Sequence, residues 1–402
     1  MQFRARFVLP IATPPLRDAW VRLDGDRVTG VGTGVGDPAA AERDLGAVAL
    51  LPGLVNAHTH LELSYLRDAV PPTSDFVAWI RGVIGARRLR PDPGAAEIME
   101  PLLRALAEAR EAGTAAVGDI SNTLVPVGPL AASPLAGVVF YELLRFNAPD
   151  PEAIVRDAVA RIRALAPAGE IRVSLAAHAP YSVAPGVLRA LRAAMDAADA
   201  VAPCSLHLAE SAAEVAFIAG GSGPWRRLLE DVGSWDPHWT PPGVSPVEYV
   251  AGLGWLDSRM LLVHGVQMTP ADLARVAAGG ATLVTCPRSN VHTGAGTPPI
   301  EAFYASGARI AVGTDSLASA PDLNIFAELA ALRALAPSVP AGRLLESATR
   351  HGAQALGLGD QLGAIAPGYR ARLIAVTVPP HVEDVEEYLV SGITPDQIAW
   401  VA

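Results

Sequence analysis

Short apolar runs alternate with longer stretches of helical spacing over most of the chain. The intervening stretches carry apolar side chains on one helix face, as at Val155, Ala158, Ile162 and Leu165. Eight runs have the length and composition of buried β-strands, at residues 54–58, 115–120, 138–142, 171–178, 204–209, 260–264, 281–286 and 309–315. Eight strands with intervening helices predict a parallel (β/α)8 barrel, with a doubly wound sheet as the alternative.

Both ends of the chain, and two inserts, depart from this alternation. Residues 18–32 alternate in polarity around the Asp24-Gly25-Asp26 turn, which predicts a β-hairpin. Residues 363–376 predict a turn and a strand. The runs are separated by long inserts at 59–114 and 211–259, and the second is rich in Trp and Pro. We expect the second insert to act as a lid or as a packing element.

The composition and net charge of the chain exclude several functional classes. The net charge of −10 argues against a partner with an anionic surface, whether nucleic acid or membrane. No signal peptide and no apolar run of the ~20 residues that span a bilayer is recognisable. Two cysteines without a CxxC pairing suit a reducing compartment, so we expect a soluble, cytoplasmic chain. All 31 basic residues are Arg, which excludes a lysine Schiff base and a carbamylated-lysine metal bridge.

Histidines stand at the ends of the predicted strands, where the strands of a barrel converge on one mouth. His58 and His60 end the first run, and their spacing places both imidazoles on one face of an extended chain. His207 ends the fifth run and Asp315 the eighth. Three imidazoles and one carboxylate predict a site for Zn²⁺, with Fe²⁺ as the alternative. Such an ion lowers the pKa of bound water towards ~7.

Three groups at the predicted mouth suit proton transfer. Glu210 follows His207 by three residues and is our candidate acid for protonating a ring nitrogen and then the leaving ammonia. His264 ends the sixth run and is the candidate for orienting water and stabilising developing charge. Asp315 is the candidate first proton acceptor. These roles favour hydrolytic deamination of a nucleobase.

Five segments, residues 51–64, 204–211, 260–265, 281–290 and 309–319, resemble the amidohydrolase superfamily. They are most similar to its branch of chlorotriazine hydrolases, guanine deaminase and adenosine-type deaminases. The resemblance implies a distorted TIM (β/α)8 barrel over residues 51–356, and a small β-sandwich domain from residues 1–50 and 357–402. It also implies one divalent metal ion on four ligands and an acid in the HxxE motif, here His58, His60, His207 and Asp315, and Glu210. His178 stands where some members have a carbamylated lysine.

The substrate is less sharply indicated. The HAPYS segment with His178 resembles a substrate-binding motif of nucleoside deaminases, and Phe76 and Trp79 resemble a segment that covers the purine. A core helix is the alternative interpretation for these two aromatic residues. Arg145 and Arg288 are candidates for binding a substrate carboxylate. The combined motifs resemble enzymes that deaminate 6-aminodeoxyfutalosine, a carboxylated adenine nucleoside of menaquinone biosynthesis.

Several alternatives stay open at this stage. The same chemistry serves methylthioadenosine or adenosylhomocysteine deaminases, guanine deaminase and chlorotriazine hydrolases, and a related site hydrolyses amide rings of the imidazolone type. A catalytically inactive scaffold barrel is the non-enzymatic alternative. We expect a small-molecule substrate and no nucleic-acid or membrane partner, with a homodimer as one option. The remaining histidines are expected to do no chemistry: His238, His292, His351 and His381. Of these, His292 follows the seventh run and is the one expected close enough to line the mouth.

Overall fold

The computed structural model describes residues 1–165, 169–198 and 202–402. Its strands are β1 (Gln2–Val8), β2 (Leu16–Asp24), β3 (Arg27–Thr33), β4 (Glu42–Asp44), β5 (Val48–Pro52), β6 (Leu54–Thr59), β7 (Thr114–Ser121), β8 (Ala136–Leu143), β9 (Ile171–Ala177), β10 (Cys204–Leu208), β11 (Met260–His264), β12 (Thr282–Thr285), β13 (Arg309–Val312), β14 (Leu373–Thr377) and β15 (Ile398–Trp400). They form two sheets.

The α-helices lie between and after the strands. They are α1 (Phe76–Arg88), α2 (Ala96–Glu111), α3 (Val127–Ala131), α4 (Pro151–Ala164), α5 (Pro185–Ala197), α6 (Ala212–Gly220), α7 (Pro224–Asp231), α8 (Pro246–Gly252), α9 (Pro270–Gly279), α10 (Pro287–Thr293), α11 (Ile300–Ala305), α12 (Ile325–Leu335), α13 (Ala341–Ser347), α14 (Arg350–Ala355) and α15 (Val385–Leu389). Short 3₁₀ helices span Leu61–Leu66 and Pro395–Gln397.

The first sheet is built from both ends of the chain. Its order is β15-β14-β5-β1-β2-β3, with β4 beside β1. The predicted hairpin is confirmed, because β2 and β3 pair antiparallel across a turn in which Gly25 has a φ of 56°. Strand β14 pairs antiparallel with β5 and so joins the C-terminal part to the N-terminal part. The separate β-domain is therefore present, whereas its boundaries at residues 50 and 357 stay a prediction.

The second sheet is the barrel. Its eight strands run parallel in the order β13-β12-β11-β10-β9-β8-β7-β6, and each corresponds to one of the eight predicted runs. The predicted distorted (β/α)8 barrel is thus confirmed. One boundary was wrong: β13 ends at Val312, and Asp315 lies in the following loop with a φ of 60°. The chain leaves the sheet at Gly313 because it turns there across the end of β6.

Strand β6 and the segment after β13 close the barrel through one bridge and a small set of backbone and side-chain hydrogen bonds, in place of a continuous ladder. One bridge joins Thr59 to Asp315. The side chain of Asn56 donates to Thr314 Oγ1 at 2.8 Å and accepts from Thr314 N at 3.1 Å. The backbone N–H groups of Thr314 and Asp315 both donate to the carbonyl of His58, each at 3.1 Å. We call this set of contacts the barrel seam.

The barrel interior is filled by small and branched side chains, so it is a packed core. Its buried members include Val55, Ala57, Val138, Phe140, Ala176, Val263, Val284 and Ala311. The helices pack against the outer side of the strands. Consistent with its predicted face, α4 buries Val155 and Ala158.

The two long inserts are helical. Residues 59–114 form the first 3₁₀ helix, α1 and α2, and residues 211–259 form α6 to α8. In the second insert, Trp225 stacks on Tyr181 with ring centroids 3.7 Å apart, and Trp239 stacks on Phe217 at 4.7 Å. The insert therefore packs over the loop that follows β9.

The structure bears on two further points, the presence of a membrane-spanning helix and the state of the two cysteines. Within the described ranges, no helix has the length and apolar composition needed to cross a bilayer. Cys204 and Cys286 are buried and form no disulfide. Burial raises the pKa of the Cys286 thiol well above its ordinary value, which agrees with a packing role.

A glycine in the barrel seam gives a test of how the barrel closes. A Cβ at Gly313 would lie 2.6 Å from the His58 carbonyl oxygen and 2.8 Å from His58 Cβ. Gly313→Ala is expected to lower the free energy of unfolding by about 1–3 kcal/mol, because the seam must open to admit the methyl group. Thermal and urea unfolding followed by circular dichroism measure this change.

Gly85→Ala is the matched control, since a Cβ there meets no atom within 4 Å and Gly85 lies within α1. Its expected effect is a small stabilisation of about 0.5–1 kcal/mol. Equal stability of the Gly313→Ala variant and the wild type would contradict this account of the seam.

Candidate active site

Three histidines from two strands converge at the carboxyl end of the barrel. His58 and His60 come from β6 and its end, and His207 comes from β10. The ring centroid of His58 lies 4.9 Å from those of both His60 and His207. One ring nitrogen of each histidine lies within 4.8 Å of the others. The structure therefore brings the three predicted imidazole ligands together.

Asp315 completes this group from the opposite side of the barrel seam. Its Oδ1 lies 3.4 Å from His60 Nε2 and 3.8 Å from His58 Nε2. Its Oδ2 accepts a hydrogen bond of 2.6 Å from the hydroxyl of Ser289, which holds the carboxylate plane. Asp315 therefore meets the histidines as the sequence predicted, although it lies in a loop and not at the end of a strand.

The electrostatics of the cluster suit a cation. Burial lowers the pKa of His58 well below its ordinary value and that of His60 to about 3, so both imidazoles are neutral, as ligands must be. Burial opposes ionisation of the Asp315 carboxyl group, but favourable contacts outweigh it, among them the hydrogen bond from the Ser289 hydroxyl, and its pKa lies below the ordinary value. In addition, His58 Nδ1 is buried without a hydrogen-bond partner. Neutral imidazoles with one carboxylate fit a divalent metal ion.

Glu210 and His264 lie side by side next to this cluster. Both are buried, and Glu210 Oε1 is 3.4 Å from His264 Nε2. The amide of Asn290 donates to His264 Nδ1 at 2.9 Å, which leaves the proton of a neutral imidazole on Nε2, facing Glu210. Burial, followed by the charges of Asp315 and Glu214, raises the pKa of Glu210 well above its ordinary value. A carboxyl group in this setting can hold a proton at neutral pH.

Strained backbone surrounds these groups. Ala209, His264 and Asp315 have φ values of 52°, 78° and 60°, in the left-handed region that non-glycine residues rarely adopt. Such strain is unfavourable by about 1–3 kcal/mol per residue and persists only where surrounding contacts hold it. The three residues follow or end β10, β11 and β13, so the strain is concentrated at the mouth.

Glu214, which sequence reasoning missed, holds one of these strained segments. It is fully buried, and its two carboxylate oxygens accept the backbone N–H groups of Ala209 and Glu210, both at 2.9 Å. Burial raises its pKa to about 7. The available signal was the Ser211-x-x-Glu214 spacing, which predicts a helix cap. Ser211 does cap α6, but the Glu214 side chain reaches back to the Glu210 segment.

His178 lies against His207 on the β9 side of the mouth. Its carbonyl accepts from His207 Nδ1 at 2.9 Å, and its own Nδ1 is 2.5 Å from the Ser182 hydroxyl. Burial lowers the pKa of His178 to about 4. Glu142, a second residue that sequence reasoning missed, is the next-to-last residue of β8, and its Oε1 lies 3.5 Å from His207 Nδ1. The only sequence signal for it was a lone carboxylate near the end of the third run.

The predicted substrate residues are less clearly placed. Phe76 and Trp79 are buried on α1, where Phe76 meets Trp225 edge-on with centroids 6.0 Å apart and Trp79 meets His292 at 6.4 Å. These contacts favour the core-helix interpretation, and contact with a purine stays a prediction. Arg145 lies in the exposed loop after β8, where it donates to the carbonyl of Leu144.

The structure argues against the expectation for Arg288. Its guanidinium donates to Glu328 Oε1 at 2.6 Å and to Asp322 Oδ1 at 2.7 Å. Glu328 is fully buried, so this ion pair fixes α10 against α12. Because the acidic groups of the protein occupy the guanidinium, Arg288 is not retained as a ligand of a substrate carboxylate.

Comparison with known proteins shows which family has this sequence and this site. A model of the amidohydrolase family matches residues 49–395 of the chain. The chain belongs to the amidohydrolase family. This amidohydrolase is a hydrolase that acts on C–N bonds. Aminodeoxyfutalosine deaminase of Deinococcus radiodurans is 36% identical to it over 335 residues, which cover 80% of this chain and 76% of that protein.

Other relatives extend the comparison. The 5-methylthioadenosine/S-adenosylhomocysteine deaminase of Moorella thermoacetica is 30% identical over 410 residues, covering 95% of this amidohydrolase and 88% of that protein. A zinc-bound adenosine deaminase structure from Xanthomonas campestris matches with a TM-score of 0.81 and 26% identity over 99% of this chain and 90% of that one. Helicobacter pylori aminofutalosine deaminase shares the fold, with a TM-score of 0.85 and 23% identity over 99% of each chain.

The Glu214 contact predicts a kinetic effect. In Glu214→Gln the amide nitrogen cannot accept a backbone N–H group, so the Glu210 segment loses one of two buried hydrogen bonds. We expect the turnover number to fall about 10- to 100-fold, with little change in KM, because such a bond to a charged group is worth about 1.5–3 kcal/mol. Metal content by atomic emission should be unchanged.

Glu230→Gln, at an exposed carboxylate paired with Arg226, is the control and should behave as the wild type. A Glu214→Gln enzyme with the wild-type turnover number would show that Glu214 does not position Glu210.

Proposed function

We propose that this amidohydrolase is a hydrolytic deaminase that replaces the exocyclic amino group of an adenine nucleoside by water. The observation that carries the proposal is the buried pair of Glu210 and His264 beside the histidine cluster, in which Glu210 Oε1 lies 3.4 Å from His264 Nε2 and burial raises the pKa of Glu210. An aromatic C–NH₂ carbon accepts water only if a ring nitrogen is protonated, and Glu210 is a carboxyl group suited to that step.

The metal centre follows from the donor set described above. His58, His60, His207 and Asp315 would hold one divalent ion, for which we propose Zn²⁺ with Fe²⁺ as the alternative. When bound, such an ion supplies a Lewis acid that makes water nucleophilic at neutral pH. The neutral state of the buried imidazoles supports this assignment.

The protein residues would then carry the proton transfers. As water adds to C6 of the purine, the Asp315 carboxylate takes one proton from it, and Glu210 gives its proton to the ring nitrogen N1. His264 Nε2–H stabilises the negative charge that develops on the attacking oxygen. Glu210, now a carboxylate, takes the proton held by Asp315 and passes it to the amino group, so that the C6–N bond breaks and ammonia leaves. The proton of the new hydroxyl group then returns to Glu210, which leaves the ring carbonyl with its N1–H and restores both carboxyl groups.

For the substrate we propose 6-aminodeoxyfutalosine, and with it a place in menaquinone biosynthesis. Two observations support this choice: the 36% identity to the Deinococcus radiodurans enzyme, and the position of Arg145. Arg145 is exposed in the loop after β8, and its guanidinium would pair there with a carboxylate distant from the purine. Methylthioadenosine or adenosylhomocysteine is the second candidate, supported by the 30% identity over 95% of the chain.

Glu210→Gln tests the reaction class. The variant is expected to keep its metal and to lose about 10²- to 10⁴-fold in turnover, because the amide cannot donate and regain a proton as the carboxyl group does. His60→Ala is the contrasting variant, which should lose both metal and activity. A metal-free Glu210→Gln protein would show that Glu210 is a ligand and not a proton carrier.

Ammonia release by the zinc-loaded enzyme tests the substrate. The panel contains 6-aminodeoxyfutalosine, methylthioadenosine, adenosylhomocysteine, adenosine, guanine and cytosine, with chloride release measured for a chlorotriazine. We expect preference for 6-aminodeoxyfutalosine, and we expect Arg145→Ala to raise its KM about 10-fold or more without affecting methylthioadenosine. Arg104→Ala, at an exposed arginine of α2, is the control.

Release of ammonia from none of these compounds would exclude the deaminase proposal and favour hydrolysis of an amide ring. An Arg145→Ala variant with the wild-type KM would exclude Arg145 as the carboxylate ligand.

A further inference from the structure

A buried carboxylate two residues after His60 has no part in the mechanism above. Glu62 lies in the 3₁₀ helix that follows β6, and only 4% of its side chain is exposed. Burying a carboxylate is unfavourable unless hydrogen-bond donors surround it. The donors around Glu62 therefore show which part of the protein it holds.

The end of β7 and the loop after it supply most of these donors, from residues 121–123, here called the β7 loop. Glu62 Oε2 accepts from the hydroxyl groups of Ser121 and Thr123, both at 2.7 Å, and from the backbone N–H of Thr123 at 3.2 Å. Its Oε1 accepts from the backbone N–H of Asn122 at 3.1 Å. The carboxylate therefore binds the β7 loop to the 3₁₀ helix.

A second carboxylate on β7 binds the residue between His60 and Glu62. Asp119 is fully buried, and its Oδ1 accepts from the backbone N–H of Leu61 at 2.7 Å. In the parallel ladder, Asp119 also stands opposite Thr59, the last residue of β6. The chain is thus attached to β7 on both sides of His60.

The β7 loop leads into strained backbone that the same contacts hold. Leu124 has a φ of 68°, in the left-handed region, and its N–H donates to Ser121 Oγ at 2.7 Å. The Ser121 hydroxyl in turn donates to Glu62. Strain of this kind persists only where surrounding contacts hold it. Glu62 is therefore one of the groups that stabilise this conformation of the loop.

One cation balances the charge of Glu62. Arg87, in the last turn of α1, donates to Glu62 Oε1 at 3.2 Å and to Asn122 Oδ1 at 2.9 Å. Both oxygens of Glu62 are thus bound by protein donors, so the carboxylate is not available as a metal ligand. A side chain with this many partners has a fixed orientation, and it can fix the backbone that carries it.

We propose that Glu62 is a positioning residue for the metal centre, because its contact with the β7 loop sets the place of the His60 imidazole relative to the other ligands. The strand β6 ends at Thr59, so His60 lies beyond the strand and needs such contacts. The inference rests on the proposed metal ligands and does not depend on which substrate reacts. Residues that support metal ligands change metal affinity typically about 10- to 100-fold when they are replaced.

Glu62→Gln tests the inference with readouts other than activity. The amide keeps the size of the side chain, but its nitrogen cannot accept the donors of the β7 loop. We expect the Kd for zinc, measured by competition with a chromophoric chelator, to rise about 10- to 100-fold. In the cobalt(II)-substituted protein the visible absorption bands should change, because they report the arrangement of the ligands. Glu97→Gln, at an exposed carboxylate of α2, is the matched control and should keep both wild-type values.

Thr123→Val tests the loop side of the contact at a residue exposed to solvent, where the substitution should leave the fold intact. It removes the hydroxyl donor to Glu62 at nearly constant size, and we expect the zinc Kd to rise about 3- to 10-fold. Thr123→Ser keeps the hydroxyl and should restore the wild-type Kd. In the Glu62→Gln background, Thr123→Val should have a much smaller effect, since the contact is already lost. These loop variants carry the test if Glu62→Gln does not fold.

Several results would overturn the inference. A Glu62→Gln protein with a lower Tm but the wild-type zinc Kd and cobalt spectrum would make Glu62 only a stabilising residue. A folded Glu62→Gln protein without any zinc binding would make Glu62 a ligand. Equal effects of Thr123→Val in both backgrounds would exclude the β7 loop as the partner through which Glu62 acts.

The proposed function and this inference fail separately. A wild type that binds zinc but releases no ammonia would contradict the deaminase reaction, while a raised zinc Kd in Glu62→Gln would still support the positioning role. Deamination by a Glu62→Gln enzyme with the wild-type zinc Kd would do the reverse. A wild type that binds neither zinc nor cobalt would overturn both.

Discussion

The contact between the first and the last barrel strand is the constraint on which the candidate site depends. The His58 carbonyl accepts hydrogen bonds from the N–H groups of both Thr314 and Asp315. The side chain of Asn56, which lies two residues before His58 in the same strand, also binds Thr314. These bonds form because Gly313 has no Cβ to push the chain away from His58. They carry the Asp315 carboxylate across to His60. Without this closure, β6 would supply imidazoles and the eighth strand would supply a carboxylate, but the two would not meet.

A second ring of polar groups makes the burial of the site tolerable. Each functional group has one neighbour that fixes it: Ser289 for Asp315, Asn290 for His264, Glu214 for the Glu210 segment and the His178 carbonyl for His207. Buried polar groups without such partners are strongly unfavourable, whereas fully paired ones become rigid. The strained backbone of His264 and Asp315 is held by the same contacts. This rigidity is what a reaction that depends on exact proton positions requires.

The arginines near the mouth illustrate how the surroundings decide a role. Arg288 is drawn inwards by the buried Glu328 and serves the packing of two helices. Arg87 donates a hydrogen bond to Asn122, which in turn donates to Glu142, so Arg87 influences Glu142 only indirectly. Arg145 keeps an exposed position beside a cavity, with only a backbone carbonyl as its partner among the described contacts. Of the three, Arg145 is therefore the one that we keep as the proposed ligand for an anionic part of a substrate.

The fold and the inner part of the site could be predicted from the sequence alone, because both depend on local patterns. Apolar runs of strand length marked all eight barrel strands, and His58 and His60 share a face through the two-residue period of a strand. Only the tertiary structure decided the loop position of Asp315 and the pairing of Arg288 with Glu328. The same holds for the contacts of Glu214 with the Glu210 segment and of Glu142 with His207. In each case the position of the residue is fixed by a hydrogen bond or an ion pair, and neither produces a periodic pattern in the sequence. Most of these partners are also distant in sequence, and burial gives such contacts their strength only once the barrel has closed.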